Sequence, residues 1–124
     1  MSLALLETLR QALGDADVIP SHHPARASPL YRAIQATVDL GQHLIAERGL
    51  PVPSSYREIF TVLGTSGVLD GGLAGRLQGW GGLRNLIAHQ YGSLNLELVA
   101  HALYEDLGAL RDFATAMAGF TTED

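Results

Sequence analysis

Apolar residues recur along this chain at intervals of three and four, and nowhere do they alternate with polar ones over a useful length. That period places them on one face of a helix, whereas a half-buried strand needs a period of two. Leu6, Leu9 and Leu13 form the first stripe, with Ser2 as N-cap, and predict a short helix over 3–13. Composition agrees: Leu (21) and Ala (16) dominate while Val and Ile total 11, a balance that favours helices over sheets.

Gly14, Pro20, His22-His23-Pro24 and Pro29 interrupt the pattern, so 14–29 is predicted as an irregular connection. Leu30, Ile34, Val38, Gly41 and Ile45 predict a second helix over 30–48, ended by Arg48-Gly49 and the following Pro51 and Pro53. Ser55-Tyr56-Arg57-Glu58 reads as a capping box in which Ser55 and Glu58 satisfy each other's backbone donors. It opens a short helix over 56–64 that buries Ile59, Phe60 and Leu63, with a Gly-rich turn around Val68 and Leu69 over 64–72. A fourth helix is predicted over 73–91, with Gly92 after its end, and Asn95 caps a fifth that carries Glu97 in its first turn. The fifth stripe, Leu103, Leu107, Leu110, Ala114 and Met117, steps by fours and threes as packed bundles do. The expected fold is all-α: an up-and-down bundle of about five helices around a four-helix core, in one domain spanning 1–124.

Hydrophobic residues make up 47% of the chain and charged ones 17%, which excludes a disordered polyelectrolyte. The absence of Cys excludes a disulfide scaffold, a thiolate metal site and a cysteine nucleophile. With 13 acids against 8 Arg and no Lys, the net charge of −5 argues against diffuse attraction to nucleic acid. An RNA or nucleotide ligand would instead be held by a few placed arginines. Met1 to Gly14 carries Glu7 and Arg10 inside its apolar pattern, and no apolar run approaches the ~18 residues of a spanning helix, so a cytoplasmic location without membrane contact is expected. No metal site and no cofactor are expected: His22-His23 point apart in a polar loop, and the glycines at 71–82 lack the Lys and Ser/Thr of a phosphate loop. His43 and His101 read as packed or capped near the core. Asp39 and His43 read as an i, i+4 pair that stabilises its helix, with support of an active site as the alternative.

The fourth helix is unusual. At ~100° per residue its core stripe is Leu73, Leu77, Trp80, Arg84, Ile87 and Tyr91, in which Trp80 reads as packing rather than base stacking. A guanidinium at Arg84 among large apolar neighbours is costly unless it is paired or faces a ligand. Either it snorkels and bonds backbone carbonyls, or it serves a site. The opposite face holds Gly75, Gly79, Gly82, Leu86 and His89, and glycine in a helix interior costs ~1 kcal/mol relative to Ala. Either another helix packs closely there, from this chain or a second subunit, or the helix is irregular around Gly79-Trp80-Gly81-Gly82.

The segment Arg84-Asn85-Leu86-Ile87-Ala88-His89-Gln90-Tyr91 gathers chemistry. On a regular helix Arg84 and Tyr91 align within ~20°, Asn85 and His89 align one turn apart, and Arg84 and His89 stand ~140° apart. A groove beside the helix, or a two-fold dimer, would bring Arg84 and His89 to one target. RNA supplies its own nucleophile, the 2′-hydroxyl next to each phosphate. Its cleavage needs a group titrating near neutrality, as His does, and a fixed cation for the crowded transition state, as Arg is.

This string resembles the R-N-x-x-x-H-x-Y signature of the HEPN superfamily in its HepT branch, the toxins of HepT/MntA toxin–antitoxin systems. Pro53-Ser54-Ser55-Tyr56-Arg57-Glu58-Ile59-Phe60 resembles the family's p-x-s-Y-x-E-x-F segment, and Ile34 to Ile45, with Asp39 and His43, resembles the helix before it. The resemblance spans roughly 30–118. It implies an all-α, homodimeric, metal-independent endoribonuclease acting on RNA, with Arg84 and His89 as the catalytic pair and Asn85 as their polar companion. It also implies that Tyr91 is the tyrosine adenylylated by a cognate MntA-like nucleotidyltransferase antitoxin. A bulky, negatively charged adenylyl group beside Arg84 and His89 would block the groove and occupy its cations. The alternative is a non-catalytic partner subunit that binds a nucleotide or a nucleotidyltransferase, favoured by the acidic charge.

Overall fold

A computed structural model describes residues 3–18, 29–89 and 107–120, with side chains at 16–18, 29–30 and 85–89 excepted. Among them five helices follow one another: α1 Leu3–Val18, α2 Pro29–Arg48, α3 Tyr56–Thr65, α4 Gly71–His89 and α5 Leu107–Ala118. None of the described residues is in a strand, and the fold is an all-α up-and-down bundle. The expected caps Ser2 and Asn95, the residues Gly92, Glu97, His101 and Leu103, and most of the 14–29 connection with His22-His23 lie outside the described residues.

Helix ends follow local chemistry, which corrects two expected boundaries and one expected cap. Residues 14–18 are helical, not irregular: Gly14 is exposed and weakens the helix without ending it, and Asp15 pairs with Arg32 of α2 at 3.2 Å. α4 begins at Gly71 rather than 73 because Asp70 caps it, its Oδ2 accepting from the N–H groups of Gly72 (3.1 Å) and Leu73 (3.3 Å). At α3 the capping box closes on one side only. Ser55 Oγ accepts from the Glu58 N–H at 3.1 Å, but Glu58 reaches back to Ser54, accepting from its N–H at 3.3 Å and from its hydroxyl. The Ser54 hydroxyl first, then the Ser54 N–H, holds the Glu58 carboxyl below the usual carboxylate range. α2 and α3 both end in Schellman motifs, on Gly49 (φ 63°) and Gly67 (φ 83°), with Leu50 and Val68 donating to Ile45 and Leu63 at 3.0 Å each.

The stripes bury as expected. Leu6, Leu9 and Leu13 of α1, Ile34, Val38 and Ile45 of α2, Ile59, Phe60 and Leu63 of α3, and Leu107, Leu110, Ala114 and Met117 of α5 join one core. Phe60 and Phe113 meet edge to face at 6.0 Å, locking α3 to α5. α2 buries a broad face and leaves His43 exposed, so His43 is not packed near the core as expected; it falls among Gln42, Ala46 and Glu47 on the solvent side.

Small residues set how closely the helices approach. A Cβ on Gly41 would stand 2.6 Å from Ile59 Cγ2, and one on Gly64 would stand 2.7 Å from Ala74 Cβ. α3 and α4 run antiparallel, since Gly64 near the end of α3 faces Ala74 near the start of α4, while Gly81 meets Arg57 at the start of α3. α4 is a continuous helix through Gly79–Gly82, which overturns the irregular-helix alternative. Among the described residues, the tight contact of α4 falls at Gly81. A Cβ on Gly75 would have nothing within 4 Å, whereas a Cβ on Gly81 would lie 2.7 Å from both Arg57 Cα and the Tyr56 carbonyl oxygen. Trp80 is 1% exposed and packs in the core; among the described residues its Nε1 finds no acceptor. No described helix is long and apolar enough to cross a membrane.

Candidate active site

α4 carries Arg84 one turn beyond Trp80, where the starts of α2 and α3 flank it. Its guanidinium is half-buried, and among the described residues it bonds no backbone carbonyl. Nε donates to Gln35 Oε1 at 2.6 Å, and Cζ lies 4.7 Å from the Tyr56 ring centroid and 5.5 Å from that of Tyr31. Each such contact between a cation and an aromatic face contributes about 0.5–2 kcal/mol depending on desolvation, which offsets the burial of the charge.

Two elements deliver these partners. Tyr31, Gln35 and Asp39 stand one helical turn apart on α2, so they share a face. Gln35 Nε2 donates to Asp39 Oδ1 at 2.9 Å, so the carboxylate serves Gln35 rather than the expected His43. A cleft of about 200 Å³ between α1 and α2 is walled by Tyr31, Gln35 and Asp39. Tyr56 is the first residue of α3, fixed by the Ser55 cap and by the contact of its carbonyl with Gly81. Arg57, exposed at the same end, places Nη1 3.7 Å from where a Cβ on Gly82 would stand.

Arg84 is therefore a cation held by an amide and two aromatic rings, with no described carboxylate on it. That arrangement suits an incoming anion: the guanidinium is oriented but not neutralised. Asn85 and His89 lie on the continuous backbone of α4, five residues from 84 to 89 corresponding to ~7.5 Å along the axis and ~140° around it. Tyr91 lies outside the described residues. Among the described residues no three His, Asp or Glu side chains are grouped to hold a metal ion. Tyr31 and Gln35 were missed in the sequence, and Tyr56 and Arg57 were named there only within the cap and the family-like segment 53–60. The spacing Tyr31-x-x-x-Gln35-x-x-x-Asp39 was the available signal.

Comparison with known proteins places the chain in a known helical family. The family model described as Ribonuclease HepT-like matches residues 25–117, and the chain belongs to that family. It is 28% identical over 111 residues to the mRNA nuclease HepT of Shewanella oneidensis, covering 87% of this chain and 84% of that protein. Its fold is similar to that of a tri-AMPylated Shewanella oneidensis HEPN toxin in complex with MNT antitoxin: TM-score 0.73, 23% identity, 94% of this chain and 96% of that one. A toxin–antitoxin structure with AMP-PNP is similar too, with TM-score 0.70, 22% identity, and 93% and 95% covered.

Proposed function

We propose that this protein is a metal-independent endoribonuclease toxin, working as a homodimer in the cytoplasm and silenced by a nucleotidyltransferase antitoxin. The observation that carries the reading is Arg84: a half-buried guanidinium, aimed by Gln35 and two tyrosines and without a counter-charge among the described residues, in a member of the Ribonuclease HepT-like family. In this reading the 2′-oxygen of the substrate attacks the adjacent phosphorus and the P–O5′ bond breaks, leaving a 2′,3′-cyclic phosphate and a 5′-hydroxyl. His89 handles the proton that leaves the 2′-hydroxyl or joins the 5′-oxygen, since imidazole titrates near neutrality. Arg84 holds the non-bridging oxygens as charge builds on them, and Asn85 supplies a further polar contact. In a two-fold dimer both copies of Arg84 and His89 line one groove, which removes the difficulty of their ~140° separation on one helix.

The curated relative is an mRNA nuclease, and the similar Shewanella toxin is AMPylated in its complex with an antitoxin, which supports an RNA substrate and a nucleotidyltransferase partner here. Tyr91, two residues beyond His89, is the residue we assign as the AMP acceptor. The test is an RNA strand compared with the same strand carrying a single 2′-deoxy nucleotide at the cut position. Cleavage is expected to vanish at that position alone, and cleavage that ignores the substitution refutes the mechanism. The net charge of −5 favours one second reading, a non-catalytic partner of a nucleotidyltransferase. A stable complex with such an enzyme, together with no RNA cleavage at any dose, would establish it.

A further inference from the structure

We propose that Gln35 is a positioning residue for Arg84: its amide, oriented by Asp39, holds the guanidinium at Nε without cancelling its charge. The inference rests on the reading above in taking an RNA phosphate as the anion that Arg84 meets.

The chemistry of the three groups fixes the orientation. Arginine donates only and an ionised carboxylate accepts only, so an amide bridging them must turn its oxygen to Arg84 and its nitrogen to Asp39. Both bonds are present, at 2.6 Å and 2.9 Å. Gln35 and Asp39 are one turn apart on α2, so the amide is oriented by its own helix before α4 is considered. A carboxylate at position 35 would hold Arg84 as firmly but would form an ion pair with it, and an incoming phosphate would have to displace that partner. The amide avoids this competition, as do the rings of Tyr31 and Tyr56, which hold a cation while adding no charge. Of the five guanidinium N–H groups, Gln35 engages only the one on Nε; among the described residues the terminal nitrogens remain the bidentate edge for phosphate oxygens.

Five variants separate positioning from folding, each first checked by thermal melting. Gln35→Leu removes the acceptor at similar volume and is expected to lower kcat by about 10–100-fold with a smaller change in KM, the scale of a misplaced catalytic group. Gln35→Glu keeps the acceptor for Arg84 Nε but gives up the donor to Asp39 and faces it with a second carboxylate; it loses kcat/KM beyond what its melting explains, because Arg84 is neutralised. Asp39→Asn still offers an oxygen to the Gln35 amide and stays near wild type, while Asp39→Leu falls. Gln35→Leu combined with Asp39→Leu is no slower than Gln35→Leu alone, since Asp39 acts only through Gln35. Gln35→Glu cleaving as well as wild type, or fully additive losses in the double variant, would overturn the proposal.

A second readout does not depend on cleavage. In the NMR spectrum the Arg84 Nε–H is expected to exchange slowly in wild type and in Gln35→Glu, and fast in Gln35→Leu. Inorganic pyrophosphate is expected to shift the Arg84 signals at lower concentration in wild type than in Gln35→Glu. If wild type cuts no RNA but shows both effects, the ribonuclease reading fails and the positioning role stands. If wild-type Nε–H exchanges as fast as in Gln35→Leu, the positioning role fails whatever the activity.

Discussion

Two glycines on one helix should respond oppositely to the same substitution. At Gly81 an added methyl would lie 2.7 Å from Arg57 Cα and the Tyr56 carbonyl oxygen and 2.9 Å from the Arg57 nitrogen. All three are backbone atoms, so no rotamer change relieves the clash, and α3 must move away from α4 at its first turn. Overpacking of this kind costs about 1–3 kcal/mol, and backbone neighbours put this case in the upper half. Replacing glycine by alanine inside a helix returns about 1 kcal/mol, which leaves Gly81→Ala destabilised by a net of about 1–2 kcal/mol. Gly75, upstream on the same helix, is exposed with nothing within 4 Å, so Gly75→Ala collects only the helical gain of about 0.5–1 kcal/mol. For a chain of this size each kcal/mol moves Tm by roughly 3–6 °C. Thermal melts followed by circular dichroism, at equal protein concentration, should show Gly81→Ala falling by about 3–12 °C and Gly75→Ala rising by a few degrees. The displaced first turn also carries Tyr56 off Arg84, so Gly81→Ala should lose activity beyond what its stability explains. A Gly81→Ala that melts like Gly75→Ala would refute the close approach and its role in placing Tyr56.

Other consequences are simpler to state. Phe113→Ala empties the centre of the bundle beside Phe60 and should cost about 3–5 kcal/mol in urea unfolding. Asp70→Ala removes the cap of α4 and should cost about 0.5–2 kcal/mol by the same measurement. Because Ser54 depresses the Glu58 carboxyl, that bond stabilises the fold above the ordinary glutamate pKa, and the contribution is lost as pH falls through the depressed value. Plots of Tm against pH for wild type and Ser54→Ala should therefore differ at neutral pH and converge in acid. Arg84→Lys keeps a positive charge but loses the Nε bond and the planar stack, so its RNA cleavage should fall close to that of Arg84→Ala.

Much of the fold could be read because it rests on local rules. The Leu6–Leu9–Leu13 stripe, the Arg48-Gly49 stop and the burial of Ile59, Phe60 and Leu63 need only helical period and turn chemistry, and all are observed. Boundaries slipped where a tertiary or capping contact outweighed composition: Asp15 reaches Arg32 across the α1–α2 interface, and Asp70 reaches forward to start α4 early. The anomaly of Arg84 was visible as a charge on an apolar stripe, but its resolution was not. Tyr31 and Gln35 lie some fifty residues away in sequence, and nothing local to Arg84 announces that an amide rather than a carboxylate will meet it. The close approach at Gly81 could not be read for a related reason: it is set by where α3 begins, not by anything local to α4. The roles given to Asn85, His89 and Tyr91 rest on the motif and on family membership rather than on side-chain geometry.

The most direct test of the central claim is cleavage of RNA in excess chelator by wild type, Arg84→Ala and His89→Ala, with the ends of the products analysed. The account predicts cuts by wild type that leave 2′,3′-cyclic phosphate and 5′-hydroxyl ends, with loss of at least about 10²-fold in each variant, the scale of removing one proton-transfer or charge-stabilising group. Cleavage by His89→Ala at the wild-type rate, or wild-type activity that appears only when a divalent metal is restored, would contradict it.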